Sequence, residues 1–244
     1  MAELQSKRHK AVLLMWLALW PLAAAAIFFP IRFNSLRLLI VFCLLLLWGG
    51  ALLLLGNKKP ARLIYLAAAL VTGGFLAAPG RSLNTTALRR EYARSLRGYE
   101  GARYVWGGET ALGIDCSGLP RCALMKANWR QGILTANPRL IRESIALWWF
   151  DSSAHALMDG YRDKTRLLVV TPSLNKFDYA RLLPGDFAVT AGGAHALVYL
   201  GEKTWIEADP GPARRVVTLQ VPGHSAWLQM PAHIMRWRQF DVSR

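Results

Sequence analysis

One cysteine and one histidine in this sequence have the surroundings that nucleophilic catalysis requires. Cys116 opens the predicted helix Cys116 to Asn128, where the positive end of the helix dipole favours a thiolate and lowers the pKa of the thiol. His195 follows two glycines and begins the apolar run HALVYLG, which places its ring at a strand start. A cysteine nucleophile with a histidine base performs acyl transfer through a thioester. Backbone N–H groups at the helix start can supply the oxyanion hole.

A carboxylate is predicted to orient this base. Glu207 lies twelve residues after His195, which fits a strand carrying His195, a turn at Gly201 to Lys203 and a returning strand that brings Glu207 beside the ring. Asp209 is the rival, since it lies on the same strand face if the strand continues, although a Pro-Gly pair follows it. An exposed acid on a hairpin is the alternative interpretation of Glu207.

Two segments around these residues resemble the NlpC/P60 family. The first, RYVWGGETALGIDCSGLPRCAL, has a Tyr-x-Trp-Gly-Gly loop that leads into Asp-Cys-Ser-Gly at the head of a helix. The second, LLPGDFAVTAGGAHALVYLGEKTWIEADP, has Pro-Gly-Asp before a strand and a histidine-containing strand that ends in Tyr-Leu-Gly. The matching positions are Tyr104, Trp106, Gly107, Gly108, Asp115, Cys116, Ser117, Gly118, Pro184, Gly185, Asp186, His195, Tyr199, Leu200 and Gly201.

The resemblance implies a papain-like α+β fold, with helices packed on an antiparallel sheet, and a cysteine peptidase or amidase. Such enzymes cut peptide or amide bonds, often the D-isoglutamyl bond of bacterial peptidoglycan stem peptides. The tyrosine matching Tyr104 helps to hold the reacting carbonyl, with a packing role as the alternative. Residues matching Trp106, Asp115 and Ser117 are expected to bind substrate. The resemblance implies neither a metal nor a cofactor.

The sequence departs from the family pattern in two places. The family's third polar residue is commonly His, Asn or Gln, whereas Glu207 stands here. The separation of Cys116 from His195 is also longer than is usual, which predicts an insertion around residues 128–166. The aromatic cluster around Trp148 in this insertion is interpreted as packing, with a cover over the cleft or a lipid contact as alternatives.

Helices precede strands in the predicted catalytic domain, residues 81–244. Asn84 to Arg97 has apolar residues at helical spacing behind a capping asparagine or threonine, and residues 128–166 are largely helical but irregular. Short β-rich runs separated by Gly and Pro turns follow. These predicted strands are Leu167 to Thr171, Asp186 to Thr190, Ala196 to Leu200, Thr204 to Ala208 and Val216 to Leu219. This order predicts an α+β domain.

Residues 1–80 are predicted to form a membrane anchor. Three stretches have no charged residue and are long enough to cross about 30 Å of hydrocarbon as helices: Ala11 to Ile31, Leu38 to Asn57 and Leu63 to Gly80. The first is alternatively a signal peptide, but two further apolar spans argue against that. The third is the weakest, because three glycines dilute it.

The charges that flank these spans predict their orientation. Basic residues are more numerous before the first span (Lys7, Arg8, Lys10) and between the second and third (Lys58, Lys59, Arg62) than between the first and second (Arg32, Arg37). By the positive-inside bias, the catalytic domain lies outside the cytoplasm. We therefore predict a multi-pass protein of the bacterial inner membrane with its catalytic domain on the periplasmic side.

The basic composition indicates which partners suit this protein. A net charge of +15 favours anionic lipid headgroups or an anionic wall polymer. Nucleic acid is not expected, since no recognition helix or RNA-binding motif accompanies the charge. The predicted partners are therefore the lipid bilayer and peptidoglycan or another substrate that contains an amide.

The other cysteines and histidines are given structural roles. Cys43 lies within the second apolar span, where a small apolar residue is expected. Cys122 lies six residues after Cys116, so on one helix the two side chains would point in different directions and could not form a disulfide. His155 and Asp159 are four apart on a predicted helix and lack a third metal ligand. His224 and His233 lie in a Pro-rich, weakly patterned tail and are predicted to be loop residues.

Three functions remain open from the sequence. The first is a cell-wall peptidase, and the second is a membrane-proximal amidase or acyltransferase that acts on a lipid-linked substrate. The third is an inactive binding domain of the same fold. A complete set of Cys116, His195 and Glu207 argues against the third.

Overall fold

Three long helices form the N-terminal part of this computed structural model, which describes residues 2–56 and 58–241. The helices are α1 (Ala2–Phe28), α2 (Asn34–Leu54) and α3 (Lys59–Ala77). Within them, His9–Phe28, Asn34–Leu54 and Lys59–Ala77 are long and apolar enough to cross a membrane. The three predicted spans are therefore helical, with somewhat different boundaries. Asn57, the predicted end of the second span, lies outside the described residues.

α1 and α2 pack against each other along their lengths. The indole N–H of Trp16 donates to the carbonyl of Leu47 (2.8 Å), and Cys43 is buried beside Ala23 in the contact between the two helices. Cys43 thus has the small apolar role predicted for it. α3 joins this pair through the ring of Tyr65, which stacks on Trp48 with 5.7 Å between centroids.

Helices of the second part begin with local capping interactions. Their bounds are α4 (Thr85–Arg97), α5 (Gly118–Leu134), α6 (Pro138–Trp149) and α7 (Ala154–Met158). Asn84 caps α4 by accepting the N–H of Ala87 (2.9 Å), as its position in the sequence predicts. The predicted helix Cys116 to Asn128 starts later, at Gly118, and continues to Leu134.

The strands form a small hairpin and one larger sheet. The hairpin pairs β1 (Glu109–Thr110) with β2 (Gly113–Ile114). The larger sheet is antiparallel, with strand order β3-β8-β4-β5-β6-β7. Its strands are β3 (Thr165–Thr171), β4 (Phe187–Thr190), β5 (Ala196–Gly201), β6 (Thr204–Ala208), β7 (Val216–Gln220) and β8 (Ala232–Trp237). The remaining short elements are α8 (Ala226–Gln229) and the 3-10 turns Leu174–Lys176, Tyr179–Arg181, Ala191–Gly193 and Arg238–Phe240.

Strand β8 corrects the prediction for the C-terminal tail. The tail was predicted as loop, whereas β8 inserts between β3 and β4 and places His233 opposite Val170 and Val189. The prediction of a loop for His233 was therefore wrong. Its pairing partners lie far away in the sequence, so the local pattern of a short strand after a Pro-rich stretch does not reveal it.

One hydrophobic core joins the sheet to α4 and α5. Tyr92 of α4 and Leu119 of α5 are fully buried against Phe187 of β4 and Trp237 of β8. The indole N–H of Trp237 donates to the Tyr92 hydroxyl (3.2 Å), which satisfies both polar groups inside the core. This packing brings the first turn of α5 to the beginning of β5.

The segment between α1 and α2 contacts the second part directly. The N–H of Arg32 donates to the carbonyl of Gly107 (3.2 Å), and the N–H of Glu109 donates to the carbonyl of Pro30 (2.9 Å). Arg37 of α2 forms a buried ion pair with Glu109 (2.5 Å). This docking was not predicted, and it fixes the N-terminal helices against the loop that precedes Cys116.

Candidate active site

Cys116 lies in a tight turn between β2 and α5. The carboxylate of Asp115 accepts the N–H groups of Gly118 (2.6 Å), Ser117 (3.0 Å) and Gly107 (2.8 Å). These bonds satisfy free N–H groups at the helix start and join the Gly107 loop to it. The thiol-bearing residue is therefore held at the helix N-terminus by its neighbour's side chain.

Ser117 connects this turn to the segment before α7. Its hydroxyl contacts the Asp115 carboxylate (3.0 Å) and donates to the carbonyl of Ser152 (2.9 Å). Asp115 and Ser117 thus have internal hydrogen bonds that the motif alone did not reveal. Their contact with substrate stays a prediction.

A buried pair of side chains stands at the start of β5. The Nε2 atom of His195 lies 2.7 Å from a carboxylate oxygen of Glu207, and their side chains are 0% and 2% exposed. The two side chains meet because of the register of β5 and β6. Glu207 pairs with Leu197, which lies two residues after His195. The predicted juxtaposition is therefore present, and the catalytic role of Glu207 stays a prediction.

Asp209, the alternative third residue, makes different contacts. Its two carboxylate oxygens accept the N–H groups of Gly211 and Ala213, each at 2.9 Å. Asp209 thus stabilises the turn that follows β6, and it is Glu207 that lies beside His195.

The thiol of Cys116 lies beside the backbone that carries the histidine. It accepts a hydrogen bond from the N–H of Ala196, the residue after His195. Within the described part of the chain, Nδ1 of His195 is buried without a hydrogen-bond partner. One ring nitrogen is thus bound to Glu207, and the other makes no hydrogen bond within the described residues.

Burial decides the protonation of this thiol. Burial, together with the neighbouring Asp115 carboxylate, raises the pKa of Cys116 to about 12, although nearby backbone N–H groups act in the opposite direction. The sequence predicted a lowered pKa from the helix dipole. The difference arises because Cys116 is only 7% exposed, so removal of the thiolate from water outweighs the dipole.

Tyr104 and Trp106 border the site differently. Tyr104 is half-buried, and burial raises the pKa of its hydroxyl, with further contributions from Cys116 and Asp115. Tyr104 is therefore close enough to Cys116 and Asp115 for their charges to act on its hydroxyl. Trp106 is 81% exposed at the rim, where a ring is accessible to a ligand. Their predicted roles toward substrate remain predictions.

Trp227 is a site residue that the sequence analysis missed. Its ring stacks on the imidazole of His195, with 4.2 Å between centroids and 20° between planes. It belongs to α8, which lies in the tail predicted as loop. Because no nearby motif marks this tryptophan, only the folded chain reveals the contact.

His155 lies against the glycine loop that precedes the base. A Cβ added to Gly193 would lie 2.6 Å from the Cα of His155, so only glycine fits at this contact. The ring of His155 pairs with Asp159 (3.0 Å) at the surface, as their helical spacing suggests. Among the described residues, no group of three or more metal-ligating side chains occurs.

Comparison with protein families agrees with this geometry. The NlpC/P60 family model matches residues 101–235, more than half of the chain, and the match contains Cys116, His195 and Glu207. The chain belongs to the NlpC/P60 family. Its papain-like α+β fold, with helices packed on an antiparallel sheet, agrees with the prediction from the sequence. Among curated proteins, none matches the chain significantly.

Solved structures similar to this NlpC/P60 chain come from distant organisms. NlpC2 from Trichomonas vaginalis is 18% identical over 67% of this chain and 50% of its own, with a TM-score of 0.40. An NlpC/P60 family protein from Bacillus cereus is 16% identical over 65% of this chain and 41% of its own (TM-score 0.40). The peptidoglycan hydrolase RipB from Mycobacterium tuberculosis is 20% identical over 66% of this chain and 69% of its own (TM-score 0.40). The chain thus spans about half the length of the first relatives.

Proposed function

We propose that this protein is a membrane-anchored cysteine hydrolase that cleaves amide bonds in peptidoglycan stem peptides through a thioester. One observation carries the proposal: His195 is paired with Glu207 inside the protein, and the thiol of Cys116 lies against the backbone N–H of the next residue, Ala196. A histidine paired with a carboxylate, close to a cysteine at a helix start, is the arrangement that nucleophilic catalysis by a thiol uses.

Acylation begins with the transfer of one proton. With Glu207 ionised, Nε2 of His195 donates to it, and the lone pair of Nδ1 accepts the proton of the Cys116 thiol. The sulfur attacks the carbonyl carbon, and the charge of Glu207 stabilises the imidazolium that forms. The N–H of Cys116 and the hydroxyl of Tyr104 are the proposed donors to the oxyanion.

Collapse of the tetrahedral intermediate releases the amine and leaves a thioester. The imidazolium of His195 gives its proton to the leaving nitrogen, which makes departure of the amine possible. The neutral ring then removes a proton from a water molecule, whose oxygen attacks the thioester carbonyl. Release of the carboxylic acid restores the Cys116 thiol.

Contacts between the two parts support the three-span anchor. The segment between α1 and α2 is bonded to the loop before Cys116, so both lie on one side of any membrane. This condition holds if α2 and α3 both cross, whereas a crossing by α2 without α3 would separate the segment from the domain. If all three helices cross, the basic residues before α1 and between α2 and α3 favour a domain outside the cytoplasm.

Digestion of isolated cell wall tests the proposed reaction. The full chain in detergent is incubated with purified peptidoglycan, and new amine termini are identified by mass spectrometry. Wild type and Cys122→Ala should release them, while Cys116→Ala should release none, because Cys122 is fully buried in the core away from the turn. Release by the Cys116→Ala variant, or no release by wild type, would contradict a cysteine hydrolase of the wall.

A second candidate is an amidase or acyltransferase that acts on a lipid-linked substrate. It is favoured by the docking of Pro30 and Arg32 onto the loop at Gly107, which keeps the cleft near the proposed membrane surface. The two functions differ in the substrate that reacts. A thioester that forms with a lipid-linked peptide, but not with polymerised wall, would select the second.

A further inference from the structure

An apolar groove of about 870 Å³ lies between the N-terminal helices and the C-terminal domain, beside the contacts that join them. α2 supplies Ile40, Val41 and Leu44 to one wall, and the facing wall is made by Trp129 of α5 and Trp148 of α6. The groove lies on the second half of α5, away from the Cys116 turn at its start. No residue of the catalytic set lines it.

The lining of the groove carries more basic than acidic side chains. Arg32, Lys126 and Arg130 line it, with Glu91 as the acidic residue among the lining side chains. Glu91 lies 3.5 Å from Arg130 and is nearly buried, whereas Lys126 and Arg130 are exposed. An excess of positive charge therefore faces an otherwise apolar space.

The polarity of the groove follows the depth expected in a bilayer. Arg32 lies in the loop between α1 and α2, at the proposed membrane surface. Leu44 lies ten residues beyond the first residue of α2, which is about 15 Å deeper along a helix. Trp148 packs with Leu36 and Ile40 between these levels, where tryptophan is enriched in membrane proteins.

We propose that this groove binds one anionic phospholipid of the surrounding membrane. Its phosphate lies among Arg32, Lys126 and Arg130, and an acyl chain lies along α2. The inference rests on the proposed membrane anchor but not on the proposed hydrolysis. Charge complementarity selects an anionic lipid over a zwitterionic one, and each basic side chain near the headgroup contributes about 1 kcal/mol, or about fivefold in affinity.

Exposed apolar side chains next to the groove support the same arrangement. Ile133 and Leu134 at the end of α5 are 59% and 68% exposed, and Ile145 of α6 is 44% exposed. α6 also contacts the end of α3, where the guanidinium of Arg142 donates to the carbonyl of Ala78 (2.8 Å). The α5–α6 hairpin therefore lies level with the ends of the proposed spans, where apolar side chains are covered by lipid.

Native mass spectrometry of the full chain in detergent tests the groove. The protein is titrated separately with phosphatidylglycerol and with phosphatidylcholine, and the first lipid adduct is quantified. Wild type should bind the first phosphatidylglycerol at least fivefold more tightly than phosphatidylcholine. Lys126→Ala/Arg130→Ala should lose about fivefold or more of this preference, because the headgroup loses two of its three cations.

Lys176→Ala/Arg181→Ala is the matched control, since both residues are exposed and lie outside the groove. This variant should keep the preference for phosphatidylglycerol. An equal loss in both double variants would show a general surface-charge effect and overturn the proposal. Equal binding of the two lipids by wild type would also overturn it.

Two further measurements distinguish a failure of the lipid site from a failure of the proposed membrane anchor or of the proposed hydrolysis. Extraction of cell membranes with alkaline carbonate should leave the protein in the pellet, and its release would refute the anchor itself. Cys116→Ala should bind phosphatidylglycerol as wild type does. The groove is therefore judged independently of peptidoglycan cleavage.

Discussion

The two ring nitrogens of His195 have different environments, and this difference determines what the ring can do. Nε2 is bound to Glu207 inside the protein, while Nδ1 is buried without a partner among the described residues. Trp227 covers one face of the ring and limits its rotation. Because burial raises the pKa of the Cys116 thiol, the resting thiol is neutral, and the proposed mechanism requires His195 to accept its proton.

Substitution of Glu207 tests the orientation of this base. Glu207→Ala should reduce kcat/KM by about 10² or more, since the ring loses its acceptor and the imidazolium loses its counter-charge. Glu207→Gln should retain more activity and show an altered pH profile. Asp209→Ala is the control and should stay near wild type, since Asp209 holds the following turn. Normal turnover of Glu207→Ala with a dead Asp209→Ala would reassign the third residue.

Alkylation of Cys116 by iodoacetamide tests its protonation. A thiol with a pKa of about 12 is mostly protonated at neutral pH, so its thiolate fraction rises about tenfold for each pH unit below that value. The alkylation rate of the resting protein should therefore rise steadily from about pH 7 to pH 10. Cys43→Ala/Cys122→Ala isolates the signal of Cys116, since these are the other two cysteines of the chain. A rate that is already constant across neutral pH would instead indicate a preformed thiolate–imidazolium pair.

At the scale of secondary-structure elements, one acidic side chain connects β1, α2 and α5. Glu109 of β1 pairs with Arg37 of α2 and with Arg121 of α5, both at 2.5 Å, and all three are almost fully buried. Arg121 also binds the carbonyl of Leu147 at the end of α6 (2.5 Å). The catalytic helix, the second N-terminal helix and the α6 end are therefore held by one buried charge cluster.

Removal of the central charge should destabilise this arrangement. Glu109→Gln leaves the buried guanidinium of Arg37 without a counter-charge and leaves Arg121 with the half-exposed Asp151 (3.2 Å), which is expected to cost about 3 kcal/mol of folding free energy. Thermal unfolding in detergent should show a clear drop in Tm. The matched control is Glu100→Gln, an exposed position that should leave Tm unchanged. An unchanged Tm for Glu109→Gln would mean that the cluster contributes no net stability.

The elements that the sequence predicted well are those with strong local signals. Strands β4, β5, β6 and β7 are short apolar runs bounded by Gly or Pro turns, and each was predicted within about a residue of its observed bounds. The closeness of His195 and Glu207 was predicted because the strand start and the hairpin spacing are also local signals. β8 and Trp227 were missed because their positions depend on pairing and packing with distant residues. The docking of Arg37 onto Glu109 was missed for the same reason.

At the scale of the whole molecule, the contacts restrict the proposed topology. The α1–α2 segment and the catalytic domain must share one side, so α3 crosses the membrane if α1 and α2 do. α3 was the weakest predicted span. Its crossing is therefore supported more strongly by tertiary contacts than by its own composition.

Reporter fusions test this topology. A reporter active only in the cytoplasm should be inactive after Arg244 and active when inserted between Lys58 and Lys59 in the loop that precedes α3. Opposite activities at the two positions are expected because α3 separates them. Activity after Arg244 would place the domain in the cytoplasm and remove the cell wall as substrate.

The contact between the α1–α2 segment and the loop before Cys116 also limits the distance over which the proposed hydrolase can act. The short connection from α3 to α4 is itself fastened, since Arg81 exchanges hydrogen bonds with the Asn137 side chain, each at 3.1 Å. This connection therefore does not allow the C-terminal domain to move far from the N-terminal helices. In the proposed arrangement its reach is about one domain diameter, roughly 30 Å. Such an enzyme would cleave newly made peptidoglycan next to the membrane. The outer, mature layers of the cell wall would lie beyond its reach.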